Sequence, residues 1–153
     1  MEELEALHQH LPIIIDWVKN QEKLILNNGV ALNEDQKIDA YLIGVKNIDK
    51  VRLLEVDQIP IFKEKKLEEL NKIAGFQSDA TIGITFQYGI YIKKGFMKKR
   101  SLIVHELVHT MQYERVGGIE NFLKQYLLEC LTTGYPNGEL EQEARKIERE
   151  ICH

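Results

Sequence analysis

The spacing of apolar residues divides the chain into helical stretches on either side of a β-rich middle. Over residues 2–26, Ile13, Ile14, Trp17, Leu24 and Leu26 recur among charged residues, which predicts one or two helices with Pro12 at a break or a first turn. Asn27-Asn28-Gly29 stops that run, and Asn33-Glu34-Asp35 caps a second helix of about ten residues with Ile38, Leu42 and Val45 at helical spacing. Residues 51–59 form a strand candidate ended by Pro60. Leu67, Leu70, Ile73 and Ala74 outline a short amphipathic helix closed by Gly75. From Thr81 to Ile92, Ile82, Ile84, Phe86, Tyr88, Ile90 and Ile92 alternate with Gly83, Thr85, Gln87, Gly89 and Tyr91, which is the period of a strand. A basic turn at residues 93–100 follows, with Ser101 as the cap of a helix over 102–116 that ends at Gly117-Gly118. Helices over 120–131 and 139–151 complete the chain, separated by the turn Gly134-Tyr135-Pro136-Asn137-Gly138. Strands in the middle with helices before and after predict a single α+β domain over residues 1–153, built on a short, mainly antiparallel sheet.

Composition narrows the function without naming it. The chain has 153 residues, 44% hydrophobic and 29% charged, enough for one domain with its own core. Its net charge of -4 provides no global positive field, so neither nucleic acid nor an anionic membrane is the expected partner. No apolar run approaches the ~18 residues of a membrane span, and the acidic start, Met1-Glu2-Glu3, does not resemble a secretory signal, so the cytoplasm is the expected compartment. Cys130 and Cys152 belong to no metal-ligand spacing and read as two reduced thiols on helices.

The chemistry is concentrated at residues 105–109, His105-Glu106-Leu107-Val108-His109, an HExxH pattern. Two histidines four apart project from one helix face and can both reach one Zn²⁺. The glutamate beside them is poorly placed as a third ligand and can instead take a proton from a metal-bound water, as the general base of a metallohydrolase. Leu102, Ile103, Leu107, Val108 and Met111 supply the apolar surface that anchors this helix in the domain. A catalytic zinc requires a third protein donor from a separate element, and the last helix offers Glu141 and Glu143 within Leu140-Glu141-Gln142-Glu143-Ala144.

The stretch from His105 through Gln112 and Tyr113 to Leu140-Glu141-Gln142-Glu143-Ala144 resembles the gluzincin group of zinc metallopeptidases, and within it small bacterial HExxH proteins of this length. The likeness covers residues 101–144 and is weak before them. It implies that His105, His109 and Glu141 are zinc ligands and that Glu106 is the base. Many members carry Asp four residues after the third ligand; this chain has Arg145. Glu143 is the rival ligand, but residues two apart face away from each other on a helix, and small Ala144, three residues after Glu141, suits close packing under the zinc.

A peptidase must also hold its substrate and stabilise an oxyanion. Residues 81–92 form a candidate edge to which an extended peptide or protein substrate adds as a strand. Tyr113 and Tyr135 are candidates to assist the oxyanion, and Gln112 is a candidate hydrogen-bond partner of a ligand. Lys93, Lys94, Lys98, Lys99 and Arg100 read as a solvated loop or as a basic rim to the site. The expectation is therefore a small zinc metallopeptidase. The rival reading is a zinc-bearing module that recognises a peptide or serves regulation without cutting.

Overall fold

The computed structural model describes residues 2–62, 81–134 and 137–153. Helix α1, Glu2–Asn28, runs unbroken through Pro12 and ends at Asn28, where Gly29 leaves the helix. Its buried stripe is Leu7, Leu11, Ile14, Ile15, Val18 and Ile25. Of the recurring apolar positions, Ile13, Leu24 and Leu26 are exposed, because only one face of the helix meets the sheet and neighbouring Ile14 and Ile25 occupy it.

A two-residue strand, β1, Val30–Ala31, precedes helix α2, Glu34–Ile43. Asn33 caps α2 as expected and forms a capping box with Gln36. The helix presents a different face from the one expected: Ile38 and Leu42 point outward, while Asp39, Ala40 and Ile43 are buried. Asp39 draws that face inward by accepting two hydrogen bonds from Arg100, at 3.0 Å from Nε and 2.9 Å from a terminal nitrogen.

A short 3₁₀ turn, Ile48–Lys50, leads into β2, Arg52–Val56. The expected helix at 67–75 lies outside the described residues. The expected strand at 81–92 is a hairpin of β3, Gly83–Phe86, and β4, Gly89–Lys93. The turn between them is set by contacts distant in sequence. Gln87 adopts φ +61, its carbonyl accepts from Thr110 Oγ1 at 2.7 Å, and Glu22 accepts from the Gln87 amide and the Tyr88 N–H. The sheet order is β1-β2-β4-β3, with β2 and β4 parallel between two antiparallel pairs. The sheet is thus mixed, because the hairpin inserts β4, not β3, beside β2.

Helices α3, Arg100–Val116, α4, Ile119–Thr132, and α5, Glu139–Cys152, follow. The α3 cap is Lys99, without a side-chain bond; Ser101 lies inside the helix, and Gly117 closes it in a left-handed conformation. Tyr91 on β4 joins the cluster of α1 and α4, with Leu54 and Val56 of β2 packed against it. Leu53, Ile90 and Ile92 join the cluster of α2 and α3. The two faces of the sheet are thus covered by different helices, which gives an α+β architecture. Both cysteines are unpaired and helical. Among the described residues, no helix is long and apolar enough to cross a membrane.

Candidate metal centre

Helix α3 is held by Val104, Leu107 and Val108, all fully buried, and this anchorage fixes the face that carries His105 and His109. Their rings lie one turn apart, with centroids separated by 5.0 Å. Helix α5 crosses this face. Its start is tied to α4, since Glu129 Oε1 accepts the Leu140 N–H at 2.9 Å, and Ala144 packs with no exposed surface in the core that holds α3. Close approach of α5 brings the Glu141 carboxylate between the imidazoles: Oε1 is 2.6 Å from His105 Nε2, and Oε2 is 3.2 Å from His109 Nε2. One donor atom from each of the three residues lies within 4.8 Å of the others.

Each imidazole is oriented from behind. Glu148 Oε1 lies 3.0 Å from His105 Nδ1, and Gln112 Oε1 lies 2.8 Å from His109 Nδ1, so an N–H at each Nδ1 has an acceptor and each Nε2 faces Glu141. Gln112 is itself fixed, donating to the Leu140 carbonyl at 2.9 Å and to Glu143 at 2.7 Å. Glu143 accepts two hydrogen bonds from Arg115, both 2.8 Å. Of the two carboxylates proposed as third ligand, Glu141 therefore meets the histidine pair, and Glu143 supports it through Gln112.

The charges follow from this packing. Burial opposes a charged His105, but Glu141, Glu106 and Glu148 outweigh it and raise the pKa to about 9. His109 is raised against the same burial by Glu141 and Glu106. Burial would raise Glu141, yet the two imidazoles hold it well below the usual carboxylate range. Two imidazole nitrogens and a carboxylate oxygen thus converge on one point. The set matches the three protein ligands of a catalytic zinc, and the residues fit that ion.

Glu106 is 4% exposed and stands beside this set without joining it. The Thr85 hydroxyl on β3 reaches Glu106 Oε1 at 2.8 Å and the Glu106 carbonyl at 3.0 Å, sharing its one proton. Glu106 Oε2 makes no hydrogen bond among the described residues. Gly83 permits the close approach of β3: a Cβ there would sit 3.0 Å from Leu102 Cδ1 and 3.4 Å from Glu106 Cγ. These side chains line a cleft of about 590 Å³ bounded by β3, α3, α4 and α5.

Of the two expected assistants of the oxyanion, Tyr113 lines the cleft, with its hydroxyl engaged by the protein itself. Tyr113 is 1% exposed, its ring stacks on Phe122 at 3.8 Å, and its hydroxyl donates to the Thr85 carbonyl at 3.1 Å. It braces β3 against α3, and burial raises its pKa beyond the usual phenol range. Tyr135 lies outside the described residues. Among the described residues, the hydroxyl that reaches the His-His-Glu set is that of Tyr126 on α4, 3.4 Å from Glu141 Oε2. Of the five basic residues expected at a rim, only Lys99 lines the cleft, and Arg100 is turned to Asp39. Thr85, Tyr126 and Glu148 escaped the sequence reading. For Glu148 a signal existed, since it lies seven residues after Glu141 and thus on the same helical face.

Comparison with protein-family models, curated proteins and solved structures finds no match for this chain.

Proposed function

We propose that the protein is a zinc-dependent hydrolase of the metallopeptidase type, with His105, His109 and Glu141 as zinc ligands and Glu106 as general base. One observation carries this reading: a His-His-Glu donor set and a separate carboxylate held by Thr85 share one open cleft. Two imidazoles among three donors favour zinc over the hard cations that select oxygen ligands.

Bound zinc supplies Lewis acidity to the substrate carbonyl and lowers the pKa of water. Glu106 takes the proton from the attacking water and later gives it to the leaving amine, with the Thr85 hydroxyl steadying Oε1 while Oε2 exchanges the proton. Glu148 and Gln112 keep both imidazoles aimed at the same point. Among the described residues no strand pairs with the outer edge of β3, and that edge supports a peptide substrate. Pairing of Ile82 with Lys93 and Ile84 with Tyr91 directs the backbone groups of Gly83 and Thr85 away from β4, and Tyr113 occupies the Thr85 carbonyl. The N–H and C=O of Gly83 face the edge where an extended chain adds as a strand, next to Glu106.

The test is zinc-loaded wild type against Glu106→Gln on a diverse peptide library. The variant is expected to keep its zinc and fold and to lose turnover by roughly 10²-fold or more. Equal cleavage by both contradicts the assignment of Glu106. Peptide binding without cleavage by either form contradicts the enzyme and leaves a zinc-bearing recognition module.

A further inference from the structure

Arg145 is the residue that the metal centre leaves unexplained. It lies one turn beyond Glu141 on α5 and lines the cleft, and its Nε is closed off from solvent without a hydrogen-bond partner. Among the described residues it makes no ion pair, in contrast to Arg100 with Asp39 and Arg115 with Glu143. The carboxylates that share its cleft are engaged elsewhere: Glu141 with both histidines, Glu148 with His105, and Glu106 with Thr85. Lys99, whose ammonium lies 5.9 Å over the Phe96 ring, and Arg149 line the same cleft and likewise form no ion pair among the described residues. The buried Nε is out of reach of a ligand as well as of water, but the guanidinium it belongs to makes no ion pair and lines a cleft with two further cations, Lys99 and Arg149, so its terminal nitrogens are a fork for an anion that the described residues do not supply.

We propose that Arg145, supported by Lys99 and Arg149, forms a subsite for a substrate carboxylate, so that the peptide bond presented to Glu106 lies close to an acidic group. The inference rests on the peptidase reading for its substrate class, while the subsite itself rests on Arg145. Planar carboxylate suits the guanidinium fork, whereas the two flanking cations add attraction without geometry. A chain laid along β3 past Gly83 runs on this cleft, which is how its carboxylate comes within reach of α5. Two sources share this chemistry, the C-terminal carboxylate of a peptide and an internal Asp or Glu side chain.

The experiment measures peptide binding by calorimetry to zinc-loaded Glu106→Gln, in which catalysis is removed, and to the same protein with Arg145→Gln added. Three probes of otherwise neutral sequence are used: one with both ends blocked and one central Glu, its Gln counterpart, and an unblocked peptide with a free C-terminal carboxylate. Arg145→Gln is expected to weaken the matching carboxylate probe by roughly 10–100-fold and to leave the blocked Gln peptide unchanged. Loss on the central Glu probe assigns the subsite to an acidic side chain; loss on the free-ended probe assigns it to the chain terminus. Arg145→Lys, which keeps the charge without the fork, is expected to restore part of the loss. Unchanged binding of both carboxylate probes, or equal weakening of all three with fold and zinc content intact, overturns the subsite. Arg145-dependent binding to a protein whose wild type cleaves none of the probes upholds the subsite and removes the peptidase.

Discussion

Two carboxylates lie against α3, Glu114 on its last turns and Glu141 at its centre, and their surroundings differ in kind. Glu114 accepts from the Lys46 N–H at 2.8 Å, the Asn47 N–H at 3.0 Å, the Asn47 amide at 3.2 Å and the Tyr88 hydroxyl at 2.8 Å. All four donors are neutral and permanent, so the anion is satisfied whatever else is present, and they hold it below the ordinary carboxylate value against the cost of burial. Glu141 meets two imidazoles, and each has another acceptor at Nδ1, so a neutral ring cannot donate to both. One environment is complete as a structural joint. The other is short of donors whenever the rings are neutral, a shortfall that a divalent cation would make up.

The sharpest break in this comparison is expected from Glu141→Ala. It removes a donor to the metal, so zinc affinity should fall by more than the roughly 10–100-fold that loss of an outer hydrogen-bond partner costs. Glu148→Ala and Gln112→Ala, which only release the orientation of an imidazole, should fall within that range; competition with a chelator of known affinity measures all three. A loss with Glu148→Ala equal to that with Glu141→Ala shows that the inner and outer partners are wrongly divided.

Glu114→Ala should do the reverse. Removal of the acceptor takes away hydrogen bonds to a charged group, which costs about 1.5–3 kcal/mol of folding stability in denaturant titration, with zinc affinity unchanged. The smallest effect concerns pH. Because folding lowers the Glu114 pKa from its ordinary 4.5, its contribution is fully present above that value and is lost as pH falls through the depressed one. The stability difference between wild type and Glu114→Gln should therefore shrink as pH drops below about 4.5. A difference that stays constant through that range contradicts the assignment.

The same contrast explains what the sequence disclosed. The convergence of His105, His109 and Glu141 was legible in the sequence: the two histidines from their helical spacing, and Glu141 from the need for a third donor on a separate element, with helix geometry favouring it over Glu143. Thr85 and Tyr126 carry no such signature; a hydroxyl becomes meaningful only when the fold sets it beside a carboxylate. The buried face of α2 was misread for a related reason. Apolar periodicity favours Ile38 and Leu42, but Asp39 is drawn inward by Arg100, an interaction 61 residues away in the chain. The turn at Gln87 was missed because Glu22 and Thr110, not a local turn dipeptide, hold its left-handed backbone.

The central claim, that the convergence of His105, His109 and Glu141 is a metal centre, is tested most directly by elemental analysis of zinc-replete protein after removal of loosely bound metal. The account predicts about one zinc per chain in the wild type and none in His105→Ala/His109→Ala of intact fold. A wild type that retains no zinc, or a double variant that retains as much, contradicts it.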